Sequence, residues 1–195
     1  MSNKSFLYSI VAVLAIFMFS TSTRAWEIDK AHSQVGFTVK HMVVAKVSGH
    51  FSDFTGTVTF DENDISKTKI SGLVQVASVS TDDEKRDNHL KSPDFFDAEQ
   101  FPEIKFESKK IVKSDDGHVM VGELTIRDVT KEVEIPFEIS GPIKDPWGAT
   151  RLGLEGHTTI NRQDFGVKWG KVMDNGGLIV SDDVVLNIIA ELVKK

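Results

Sequence analysis

The sequence predicts an all-β protein: one antiparallel barrel of about eight strands, with a short helical insert capping it. Three observations carry that expectation. Beyond residue 25, most segments alternate apolar and polar side chains between turn residues, the period-2 signature of half-buried strands. Glycines recur at inward positions, Gly56, Gly72, Gly122 and Gly156, where strands bend and coil on closing. Closure also removes sheet edges that would otherwise need protection. The stretch 84–106 departs from the pattern and reads as the insert.

Taken in order, residues 1–25 read as a signal peptide. Lys4 supplies the positive start and 6–19 is apolar apart from Ser9. A polar tail then leads to Ala25 as a small residue for cleavage. The run of about 14 residues is short for a spanning helix, so an uncleaved anchor is the less favoured reading. The remainder, 26–195, is expected to be one domain with its own core.

Residues 33–40 alternate with Val35, Phe37 and Val39 on one face. Phe54, Gly56, Val58 and Phe60 share the next face, and the acidic turn 61–64 leads to Ile70, Gly72, Val74 and Val76. Thr81 with Glu84 forms a capping-box pattern, placing a helix over 82–91 whose only large apolar residue is Leu90. Ser92-Pro93 suggests a second short helical start carrying Phe95 and Phe96, ended by Phe101-Pro102. Strands then resume through Ile104 and Phe106. After the turn at Asp116-Gly117 come Met120, Gly122, Leu124 and Ile126. Val133, Ile135, Phe137 and Ile139 follow, with Pro136 suggesting an edge or bulged strand. Leu152, Leu154, Gly156, Thr158 and Ile160 make the next strand. Asn175-Gly176-Gly177 turns into the last, with Leu186, Ile188, Ala190 and Leu192 inward.

The net charge is −6 and there are no cysteines. Lys4 and Arg24 are the only charged residues before position 26, so the remainder is more acidic still. That balance argues against nucleic acid and anionic lipid head groups as partners, because both repel a negative surface. An exported chain without disulfides relies on its core, which suits a bacterial periplasm.

Five motifs then resemble the YceI-like family, from about Trp26 to the C-terminus. They are Asp29-Lys30-Ala31-His32-Ser33 with Phe37 and His41; Gly49-His50-Phe51 with Phe54 and Gly56; Arg86 to Leu90 with Ser92-Pro93-Asp94-Phe95-Phe96-Asp97 and Phe101-Pro102; Gly122-Glu123-Leu124-Thr125-Ile126; and Asn161-Arg162-Gln163-Asp164-Phe165-Gly166. The resemblance implies an extended eight-stranded lipocalin-like barrel in the periplasm. It implies a long apolar pocket for a polyisoprenoid, an isoprenoid quinone or a fatty-acid-like amphiphile, with no catalytic residues and no cofactor besides that lipid. It also implies a membrane b-type cytochrome as a candidate partner. A homodimer is compatible with the sequence.

Ten phenylalanines lie beyond residue 25, against thirteen in the chain and one tyrosine, so the aromatic set is one without polar tips. Phe37, Phe54, Phe106, Leu124, Ile126, Leu152 and Leu154 are either ordinary core or the wall of a cavity for an alkyl or prenyl chain. Phe95 and Phe96 favour the cavity reading, because adjacent rings on one short turn do not easily both enter a protein core. His32, His41, Arg86, His89 and Arg162 are the head-group candidates, arginine suiting phosphate or carboxylate. For His32, Arg162 and Asp164, a structural role in turns is the favoured alternative. Enzyme readings are weak: His32 and Ser33 are neighbours that point to opposite faces of a strand, and no G-x-S-x-G elbow exists. His32, His41 and His50, spaced by nine, reverse face at each step and match no zinc motif. The expected function is a non-enzymatic periplasmic carrier; the alternative is an interaction module for the membrane cytochrome.

Overall fold

The structure, a computed structural model, describes residues 26–115, 117–174 and 176–194. Residues 1–25, expected to be a signal peptide, and Asp116 and Asn175 of two expected turns, lie outside the described residues. The alternating segments become β1 (Glu27–Ile28), β2 (Gln34–His41), β3 (Ala45–Phe51), β4 (Phe54–Thr59), β5 (Lys69–Gln75) and β6 (Val79–Ser80). After helix α1 (Glu84–Lys91) come β7 (Glu103–Ser114), β8 (Gly117–Ile126), β9 (Val129–Lys144), β10 (Thr150–Asn161) and β11 (Val180–Lys194).

All of them join one antiparallel sheet in the order β4-β5-β7-β8-β9-β10-β11-β2-β3-β6, with β1 beside β11. The two ends of that path are continuous in the chain. β3 runs into β4 through Ser52-Asp53, and β5 into β6 through a 3-10 turn at Val76–Ser78. The ladder follows both around the corner: Phe51 pairs Val79, Ser52 N–H donates to Ser78 O, Gln75 N–H donates to Asp53 O, and Phe54 pairs Val74. The sheet therefore curls into a ring of eight staves, two of them bent. The strand count of eleven exceeds the expected eight because the corner splits two staves and β1 adds a short piece. Close approach at the curl needs glycine at position 122: a Cβ there would meet the Phe106 ring at 2.5 Å and Glu107 O at 2.6 Å.

One end is solid. Trp26 bridges to Val58, bringing the segment that leads into β1 between β4 and β11, and Ile111, Leu152 and Leu192 pack there beside Met120 and Phe137. Arg151 ties this end together from outside. Its Nε donates to Asp145 at 2.7 Å and its Nη1 to Asp29 at 3.0 Å and to Glu191.

Three local expectations are corrected. Thr81 does not cap α1; Asp83 does, accepting from Arg86 N–H at 2.9 Å, while Thr81 donates backbone and hydroxyl to Asp87. Asp82, in the left-handed region at φ 61, delays the helix by two residues, and a carboxylate directly before the first turn is the better cap. Ser92 starts no second helix. It ends the first, its hydroxyl donating to His89 O, and 93–96 form turns. Pro136 lies in an interior strand, pairing in register with Val119 of β8. It falls just past Phe137–Gly156, where β9 stops pairing with β10.

Candidate functional site

Towards the other end the staves enclose a cavity of about 450 Å³, within the roughly 300–1,000 Å³ of ligand pockets. The strand alternation supplies its wall, Phe37, Phe54, Phe106, Leu124, Ile126 and Leu186 among others. Met120, Ile135, Phe137 and Leu154 form the side nearest the solid end. Several inward residues, Val35, Val39, Ile104, Phe106 and Leu186, pack against the core yet are only half-buried. Their open surface faces the void. Gly72 belongs to this wall, and a Cβ added there meets nothing within 4 Å.

The helical insert forms the lid. Leu90, Phe95 and Phe96 come from α1 and the turns after it, and Phe51 meets Phe96 at 6.0 Å. His89, Phe95 and Trp169 make a cluster of rings with centroids 5.0–5.1 Å apart. Arg127, in the β8–β9 turn, pins this lid. It donates to Phe95 O at 3.0 Å and Gly166 O at 3.2 Å and lies over the Phe101 ring, while Asp97 is 3.7 Å away.

Polar groups gather at the rim. Arg86 Nε donates to Thr81 Oγ1 and Nη2 to Thr81 O, both at 2.7 Å. A guanidinium anchored this way keeps further N–H groups for an anion. His89 Nε2 lies 2.9 Å from Asp94, and His41 reaches the cavity from the end of β2. Arg162 also lines it but is committed elsewhere: Nε to Ser181 O, Nη1 to Val167 O and Trp169 O, Nη2 to Asp182 at 2.9 Å. Burial pushes this guanidinium down, partly opposed by Asp182. Arg162 is the clamp that holds the Trp169 strap, starting from the 3-10 turn Arg162–Phe165 capped by Asn161.

Of the residues singled out from sequence, Phe37, His41, Phe54, His89, Phe95, Phe96, Phe106, Leu124, Ile126, Leu154 and Arg162 converge on this cavity, with Arg86. Leu152 does not. It is 1 % exposed and opposite Leu192 in the solid end, because two strand positions beyond Leu154 the barrel is already filled. His32 lies at that end too, its Nδ1 3.0 Å from Asp29, so the three histidines spaced by nine do not meet. Asp29, His32 and Glu191 bring ligand-type atoms within 4.8 Å of one another, but the Arg151 guanidinium already touches both carboxylates. Asp29 sits below the ordinary carboxylate range through His32 and then Arg151, and Asp29 in turn raises His32. Sequence reasoning missed Trp169 and Arg127. The alternation Val167-Lys168-Trp169 after Gly166 could have revealed the first.

The YceI-like domain model matches residues 26–192. A UPF0312 protein of Staphylococcus aureus is 37 % identical over 164 residues, 84 % of this chain and 94 % of its own. One from Photorhabdus laumondii is 38 % identical over 142 residues, 73 % and 74 % of the two chains. Among solved structures, the YCEI protein of Campylobacter jejuni superposes with a TM-score of 0.67 at 35 % identity, covering 86 % of this chain and 96 % of that one. A polyisoprenoid-binding domain from Saccharophagus degradans shares the fold, with a TM-score of 0.65 at 11 % identity over 88 % and 99 % of the two chains.

Proposed function

Since the chain belongs to the YceI-like family, we propose that it is a non-enzymatic carrier, exported to the periplasm, that holds one long-chain amphiphile. The tail, a polyisoprenoid, isoprenoid-quinone or fatty-acyl chain, occupies the barrel. The head group sits at the lid, against Arg86 and His89. The observation that carries this reading is the half-buried apolar inner face around a void of about 450 Å³. Each methylene moved from water into such a void is worth about 0.8 kcal/mol. A dozen carbons therefore supply roughly 9–10 kcal/mol before ordering costs, enough for tight binding without a strong polar contact. A polyisoprenoid-binding domain on the same fold supports an isoprenoid as the first class of tail to test.

The test is mass spectrometry of an organic extract of the purified protein, with titration by fluorescent prenyl and fatty-acyl probes. A co-purified long-chain amphiphile and saturable uptake are expected. Clean extracts with no uptake of either probe sink the carrier reading. Recovery of a membrane cytochrome in that case would favour the interaction-module alternative.

A further inference from the structure

Beside the mouth of the cavity lies an apolar surface that holding a ligand does not require. The β2–β3 hairpin turns through Met42-Val43-Val44, with Met42 at φ 48 and Val43 at φ 65. Left-handed backbone strongly disfavours a β-branched residue, and tight hairpins place Asn or Gly there instead. These three side chains are nevertheless apolar and 40 %, 68 % and 87 % exposed. Met42 N–H donates to Ile179 O and Ile179 N–H to Lys171 O. These bonds join the tip to a second loop, where Val172 and Leu178 are also exposed. His41, Val47, Ile179 and Val180, adjoining the two tips, line the cavity, so the apolar surface runs on into the mouth.

The charges beside it have the opposite sign from the chain. Lys40 and Lys46 lie directly across from each other on β2 and β3, an arrangement that destabilises a sheet when both are charged. Among the described residues, neither pairs with a carboxylate. Lys168 and Lys171 flank the second loop. The acids of this edge are Asp174, Asp183 in the β11 bulge opposite Lys40, and Asp182, which is paired with Arg162, so the four lysines still outnumber the free acids. At physiological ionic strength, charges beyond about 8 Å are largely screened. The net charge of −6 therefore does not decide what this one edge meets.

We propose that this edge docks the barrel mouth on an anionic lipid bilayer, with Met42, Val43 and Val44 among the acyl chains and the four lysines at head-group phosphates. Interfacial anchors need a few apolar side chains and a cationic rim, which two narrow loop tips supply. Stable protein interfaces are broad faces of about 800 Å² on each partner, whereas an interfacial anchor works through a few side chains at loop tips. Docked this way, the cavity opens towards the membrane and an amphiphile passes between them without crossing water. The purpose rests on the carrier reading; the docking itself is measured without it.

The test is co-sedimentation of the chain from Trp26, which contains the whole barrel, with vesicles of phosphatidylcholine with or without phosphatidylglycerol. Wild type is expected to sediment with the anionic vesicles and much less with the neutral ones. V43D/V44D removes the tip without harming the fold, because Asp tolerates left-handed backbone, and is expected to lose vesicle binding. K40E/K46E is expected to lose about twentyfold or more, at about fivefold for each lysine, and most of the salt dependence. No sedimentation of wild type with anionic vesicles, or equal sedimentation of all three proteins, overturns the proposal. So does a wild-type dimer that V43D/V44D converts to monomer, since a second copy then covers the tip. Uptake of a soluble fluorescent fatty-acyl probe separates the two readings. A V43D/V44D protein that takes probe but ignores vesicles isolates docking from carrying. A wild type that docks but takes no probe keeps the docking surface and removes its cargo.

Discussion

The two ends of the barrel are built from the same staves with the same alternation, yet one is solid and the other hollow. At the solid end Leu152 and Leu192 are 1 % and 0 % exposed. At the lid end Phe106 and Leu186, also facing inward, stay half-buried. The difference lies in what each closure contributes to the interior. The segment through β1 drives Trp26 and Ile28 into the first end. The lid is a short polar helix that contributes Leu90, followed by turns that contribute Phe95 and Phe96 and lay them across the top. Whether a small barrel is a core or a container is thus decided by its plugs, since eight strands leave room for either outcome.

The sharpest way to break this contrast is truncation in the solid end. Leu192→Ala should cost about 2–5 kcal/mol, the range for a fully buried leucine, read as a shift of the urea midpoint at unchanged slope. A loss below about 1 kcal/mol would mean that this end is as loose as the other. Gly72→Leu probes the hollow end from inside. Its Cβ meets open space, so stability should move by no more than about 0.5 kcal/mol, while probe affinity falls about tenfold or more as the side chain takes up void. Gly122→Ala is the control: the same residue type, but its Cβ collides with Phe106 and Glu107, and it should destabilise. If Gly72→Leu binds probe like wild type, the void is not the binding site. Phe96→Ala comes next. Its half-buried ring packs on Phe51, so about 1 kcal/mol of stability should go, with a severalfold rise in probe off-rate. Equal fractional losses in folding and retention would make Phe96 simply core.

Much of this was legible in the sequence, and what was not has identifiable causes. Alternation placed the inner face almost residue by residue, because side-chain period 2 leaves no freedom once one face is buried. It could not distinguish Leu154, which lines the void, from Leu152, which does not, because both obey the same period and only the distance to the Trp26 plug separates them. The capping-box pattern at Thr81 gave the helix but not its first residue, since Asp83 competes for the same role. Arg127 was invisible: an Arg-Asp turn at φ 58 has no turn signature, and its partners Phe95 and Gly166 lie 32 and 39 residues away in the chain. Arg162 stood out as a charged residue in a motif, but its four contacts, all satisfied within the protein, could be counted only in three dimensions.

The smallest expected effect tests the outside of the solid end. Asp29 holds His32 above its ordinary pKa near 6.5, mainly through their hydrogen bond, with Glu191 adding to the attraction and Arg151 opposing it. A group whose pKa is raised by folding contributes stability that is fully present below its unfolded value. That stability is lost as the pH rises through the folded value. The thermal midpoint of wild type should therefore exceed that of His32→Gln at pH about 5.5, and the gap should close at alkaline pH. Both side chains reach solvent, so the gap should be small and should shrink further in salt. A gap that persists unchanged above the folded pKa would show that His32 acts by packing rather than charge. The staple over the Trp26 plug would then reduce to Arg151 with its three carboxylates.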